Sequence, residues 1–184
     1  MTRSLAVRIV ANREHLGAIQ DFLDGDLSRV RLCTYSIRDI QLVNSSLSLR
    51  LKRLLSTNCT VSVAFGEDLW KPGSSDPRDE VCRQTLAFLK DLEHRGATVW
   101  YVPRPMLHAK VVYVEGRGAT GSPLARALVT SANLSTSATR GNNYELGVEL
   151  NDLHNEPDLQ QRVKDFTGRA INVGRSLEDV VRDL

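Results

Sequence analysis

The hydrophobic pattern of this chain changes period as it runs, and that alternation limits the folds open to it more than any other feature. Residues 4–11 alternate as a strand does, and Leu16, Ile19, Phe22 and Leu23 then fall on one helical face that closes at Gly25. Strand patterning returns over residues 29–37. Leu47, Leu51, Leu54 and Leu55 follow helical spacing and leave Arg50, Lys52 and Arg53 on the wetter side. A β-rich run at 60–65 leads through a polar loop at 66–75 to a helix that Asp76 can cap and Pro77 can begin. Its buried stripe is Val81, Thr85, Phe88, Leu89 and Leu92, and Gly96 stops it. Strands then cluster at 97–102, 107–114, 126–130 and 144–150, and helices follow near 157–169 and 177–184. Alternation that gives way to clustered strands predicts an α/β fold, a mixed β-sheet flanked by helices on both faces. Within 184 residues there is no repeat or low-complexity linker, so residues 1–184 read as a single domain.

Composition removes several classes of function. With 41% hydrophobic and 25% charged residues the chain can build a core, unlike a disordered tail. Apolar stretches such as 111–114 are far too short to span a bilayer, and Arg8 interrupts the first apolar run before a secretion signal can form. The sequence therefore predicts a cytoplasmic protein with no membrane partner. Cys33, Cys59 and Cys82 are odd in number, widely spaced and without a CxxC, which argues against a disulfide framework and a zinc site. A net charge of +2 does not announce a nucleic-acid binder, yet 19 of the 24 basic residues are Arg, whose planar fork matches phosphate.

The most informative segment is residues 107–115. In a strand, His108 and Lys110 project to one side while Val111, Tyr113 and Glu115 project to the other. An imidazole beside an ammonium is a nucleophile or proton donor next to a cationic clamp, a pairing suited to phosphate. Downstream, Thr130, Ser131, Ala132 and Asn133 form a small-residue turn rich in hydroxyl and amide donors. Tyr144, Leu146, Val148 and Leu150 then share one strand face, and Glu145 lies on the opposite face with Gly147 beside it. A carboxylate there can accept a histidine Nδ1–H, fixing the tautomer and freeing Nε2 to attack.

In this order the residues resemble the signature of the phospholipase D superfamily. The HxK is His108-Ala109-Lys110, Glu115 stands where the family has Asp, and Thr130 replaces the Gly of the Gly-Ser turn that leads to Asn133. The late acid is Glu145. The resemblance implies the phospholipase D-like fold and a metal-independent phosphodiesterase with no cofactor. It implies His108 as the nucleophile, Lys110 and Asn133 on the non-bridging oxygens, Ser131 as a substrate contact and Glu145 as the residue that orients the imidazole. Glu115 has the wrong parity for the site and is expected to be structural.

The family's reaction uses two histidines, and this chain has one HxK. His15, His94 and His154 read as surface histidines, His94 at a helix C-terminus that suits its charge. The second catalytic histidine is therefore expected from another copy in a homodimer, as in the single-motif nucleases of the family. The expected substrate is nucleic acid, DNA or RNA, in a setting compatible with an associated helicase or DNA-recognition domain. The alternatives are a phospholipid phosphodiesterase and a non-catalytic nucleic-acid-binding module. Gly116, Gly118 and Gly121 match GxGxxG, but Pro123 and β-like residues follow, so the stretch reads as a loop between antiparallel strands. Trp70 near Lys71 offers a base-stacking surface, whereas Trp100 and Tyr101 read as core or rim.

Overall fold

A computed structural model of the chain describes residues 4–37, 45–67, 78–103, 107–135 and 144–182. The strand periods become β1 (Ala6–Ala11), β2 (Asp26–Thr34), β3 (Thr60–Phe65), β4 (Thr98–Tyr101), β5 (Lys110–Arg117), β6 (Pro123–Thr130) and β7 (Leu146–Asn151), and the structure adds a two-residue β8 (Arg175–Ser176) that no sequence period marks. The helical periods become α1 (Glu14–Phe22), α2 (Ser45–Ser56), α3 (Arg78–His94), α4 (Pro157–Asn172) and α5 (Leu177–Arg182). The strands form one sheet in the order β1-β7-β6-β5-β2-β3-β4-β8. Helical crossovers make β2, β3 and β4 parallel neighbours, and every other pairing is antiparallel. This is the mixed sheet that the alternation of periods predicts.

Helices cover both faces. On one, Val30, Leu32, Val61, Val63, Val112 and Val114 meet Ile19, Phe22, Leu51, Leu54, Phe88 and Leu92 from α1, α2 and α3. On the other, Cys33, Ala64 and Val111 meet Ala170 of α4, and Tyr113, Ala125 and Ala127 meet Leu153. Each strand of the centre therefore carries apolar residues at both parities, as a sheet buried on both sides requires. Among the described residues no helix is long and apolar enough to cross a membrane.

The strand predicted at 107–114 begins later, at Lys110, and runs on to Arg117. Lys110 pairs with Thr130, the last residue of β6, and Val111 with Cys33 near the end of β2, so earlier residues have no strand to pair with. Between β5 and β6, Gly118 N–H donates to Ser122 O at 2.8 Å and Gly121 takes φ of 76°, so the GxGxxG stretch is a hairpin loop as expected. Trp100 and Tyr101 lie half-buried in β4, with Tyr101 against Phe65. Asp76, Pro77, Trp70 and Lys71 lie outside the described residues.

His15 is fully buried rather than on the surface, because the first turn of α1 packs onto β7. His94 is exposed in the last turn of α3, as its helical position suggests, and His154 is half-buried. Glu115 turns away from His108 and Lys110 and meets Arg29 at 2.6 Å, Lys164 at 2.5 Å and Gln160 at 3.1 Å, tying β5 to β2 and α4. Burial opposes its ionisation, but the bonds from Lys164 and Tyr113 and the charges of Lys164 and Arg29 prevail and hold the carboxyl below its ordinary value.

A depressed folded pKa contributes stability above the unfolded value and loses it as pH falls through the folded value. Glu115→Gln should therefore destabilise the protein by about 1–2 kcal/mol at pH 7. Thermal unfolding of both proteins across pH should show that difference constant above about pH 5 and shrinking below about pH 4.

Candidate active site

The C-terminal ends of β2 and β3, the start of β5, the end of β6 and the start of β7 meet at one end of the sheet. The crevice beyond the carboxyl ends of parallel strands, where connections diverge, is where open α/β sheets bind ligands. All of the sequence-selected residues except Glu115 gather here.

Lys110, Thr130 and Gly147 are successive partners across β5, β6 and β7, so all three face the side that α1 covers. Lys110 is half-buried and, among the described residues, its ammonium has neither an ion pair nor a hydrogen bond. His108 precedes it, exposed, with its ring stacked on Tyr35 at a centroid distance of 6.3 Å. A half-buried ammonium with no counter-ion among the described residues, two positions from an accessible imidazole, can hold an anion.

The turn after β6 is docked rather than loose. Thr34 Oγ1, at the end of β2, donates to Ser36 O at 2.8 Å and accepts Leu134 N–H at 3.3 Å. Asn133 Oδ1 accepts Ser36 N–H at 3.2 Å, and among the described residues its amide NH2 donates to nothing, which leaves two donors for a ligand. Thr130, where the family has Gly, keeps a strand conformation, accepts Ala132 N–H at 2.9 Å and donates to Leu146 O at 3.3 Å. Its hydroxyl thus builds the turn that glycine would leave to backbone freedom.

Ser131 Oγ donates to Glu145 Oε2 at 2.5 Å and accepts Leu146 N–H at 3.1 Å. The structure thus brings Ser131 and Glu145 into direct contact, and places no hydrogen bond between Glu145 and His108 of the same chain. Three residues absent from the sequence reading also belong here: Tyr35 under the His108 ring, Ser36 on Asn133, and Glu67, which accepts from Ser36 Oγ at 2.6 Å. Their only sequence signal is their place just past β2 and β3, at the ends of parallel strands. Among the described residues no group of three His, Cys, Asp or Glu could hold a metal ion.

No protein-family model and no curated protein matches the sequence. Solved structures do match the fold. Nuc from Salmonella typhimurium, a phospholipase D family member, superposes with a TM-score of 0.68 at 15% identity, over 94% of this chain and 98% of its own. NucT from Helicobacter pylori gives 0.66 at 13% identity, over 94% and 99%. TrmBL2, an archaeal chromatin protein, gives 0.58 at 9% identity, over 92% of this chain and 53% of its own. The chain has the phospholipase D fold, as the resemblance implied.

Because the Lys110 ammonium holds no partner among the described residues, Lys110→Met should change stability by no more than about 0.5 kcal/mol. Inorganic phosphate should raise the melting temperature of the wild type and leave that of the variant unchanged. A large loss of stability in the variant would instead make Lys110 a structural residue.

Proposed function

We propose that this protein is a phosphodiesterase that cleaves nucleic acid through a phosphohistidine at His108. The observation that carries the reading is the Lys110 ammonium, unpaired among the described residues, near the exposed His108 ring and the Asn133 NH2, whose oxygen is fixed by Ser36 while its donors meet no described acceptor. His108 Nε2 attacks phosphorus, the N–P bond forms and the P–O bond to the leaving group breaks. A proton donor protonates the departing oxygen. Water then attacks phosphorus, gives its proton to the same group, and breaks the N–P bond. Lys110 and Asn133 hold the non-bridging oxygens, and Glu145, braced by Ser131, orients an imidazole. The fold shared with Nuc and NucT supports this class of reaction.

The chain supplies one suitable histidine, since His15 is enclosed in the core, His94 ends a helix on the far side and His154 follows the far end of β7. The proton donor is therefore His108 of the partner subunit, across a two-fold axis. An exposed apolar row next to the site supports that arrangement. Val7 and Ile9 of β1, Leu146 of β7 and Val129 of β6 share one face of the sheet, each at least 44% exposed, and Tyr144 is 99% exposed beside them. That apolar row begins one residue from Glu145, and such rows mark association surfaces. The basic flank of α2, by contrast, is no free phosphate track: Arg50 and Arg53 pair with Asp24, and Lys52 with Asp91.

A second reading is a DNA-binding module without catalysis, favoured by the fold shared with TrmBL2, whose structure is described as showing a novel mode of DNA binding. Cleavage separates the two. Labelled single- and double-stranded DNA, RNA and phosphatidylcholine, each in excess EDTA, should show turnover of a nucleic acid by the wild type and none by His108→Ala. Loss of activity on chelation with recovery in Mg2+ would overturn the metal-free mechanism, and binding without cleavage would favour the module.

The shared site makes a further expectation. Reassorted equal mixtures of wild type and His108→Ala should retain about a quarter of the activity of the same total of wild type, because only wild-type pairs hold two histidines. Independent sites would retain about half.

A further inference from the structure

Glu145 sits where the ladder between β1 and β7 ends. The last pair is Ala11 with Leu146, so Asn12 falls opposite Glu145. Asn12 N–H donates to Glu145 O at 3.0 Å as an ordinary strand partner would. Its own backbone then turns left-handed, with φ of 48°, and its carbonyl swings away from β7. That carbonyl accepts both His15 N–H at 3.3 Å and His15 Nδ1 at 2.9 Å. The side chain replaces it: Asn12 Oδ1 accepts Glu145 N–H at 3.2 Å. One residue thus grips both backbone polar groups of Glu145, and the imidazole of His15 holds that residue in place.

His15 is fully enclosed, its Nδ1 bonds the Asn12 carbonyl, and its Nε2 has no hydrogen-bond partner among the described residues. A Cβ on Gly147 would lie 3.1 Å from Nε2 and 3.1 Å from Thr130 Cβ, so residue 147 is small because the ring occupies the space above it. A left-handed asparagine and an unpartnered buried nitrogen are both unfavourable for folding alone. Here the two lie side by side, adjoining Glu145.

We propose that Asn12 and His15 form a clamp that sets the position of Glu145, and that both are positioning residues for the reaction proposed above, on which this inference rests. Neither touches the phosphate. A displacement of the acid by a fraction of an ångström would misorient Ser131 and the imidazole it serves.

The test uses the full chain and reads chemistry apart from folding. Asn12→Gly keeps the left-handed backbone and removes only Oδ1. His15→Asn keeps a donor at the Nδ1 position, whereas His15→Phe fills the space without one. With nucleic-acid substrate, Asn12→Gly and His15→Phe should lower kcat by about 10- to 100-fold with KM within about threefold, and His15→Asn should stay close to wild type. Hydrogen exchange should show the Glu145 amide protected in the wild type and exchanging at least about tenfold faster in Asn12→Gly. Should His15→Phe fail to fold, Asn12→Gly and His15→Asn carry the comparison. A wild type that cleaves no phosphodiester overturns the enzymatic reading and this inference with it. An active wild type whose kcat is unmoved by Asn12→Gly, or whose Glu145 amide is unprotected, overturns the clamp alone.

Discussion

The antiparallel pairing of β5 between β2 and β6 is the constraint on which the rest depends. It sets Cys33 against Val111 and Lys110 against Thr130, and so joins the half of the chain with parallel strands to the half with antiparallel ones. In this register Val112 and Val114 enter the core beneath α1 to α3, while Tyr113 and Glu115 face α4. A slip of one residue would send every side chain of β5 to the opposite face. Lys110 would leave the site, and Glu115 would enter the apolar core without Arg29 and Lys164. Core packing and site geometry are thus set by the same register.

Around that strand the site is assembled from ends and turns rather than from the middles of elements. The turn after β6 is held to the end of β2 through Thr34, Ser36 and Asn133, and to the start of β7 through Thr130 and Ser131. These bonds satisfy polar groups that a loop would otherwise leave to water, and they give the side chains fixed directions before any ligand arrives. The Lys110 ammonium and the Asn133 NH2 stand out because, among the described residues, they bond to nothing while their neighbours are bonded to one another.

Much of this was legible in order along the chain. Hydrophobic period identified the strands and helices, since alternation at two or at 3.6 residues is a local property that burial imposes directly. Parity along residues 108–115 separated Lys110 from Glu115 for the same reason, and the GxGxxG stretch was betrayed by the Pro123 that follows it. His15 was misread because a single histidine on an amphipathic helix has no local mark of burial. Only the packing of α1 on β7, over a glycine 132 positions later, encloses it.

The sequence by itself determined which segments extend or coil and which faces they bury. Those properties follow from side-chain type and spacing within a few residues. Tertiary structure alone decided that Ser131 binds Glu145, that Asn12 and His15 brace it, that Tyr35, Ser36 and Glu67 join the site, and that Lys110 has no counter-ion among the described residues. Each of these depends on the register and packing of strands far apart in the chain, set by the burial of both faces of the sheet rather than by any local pattern.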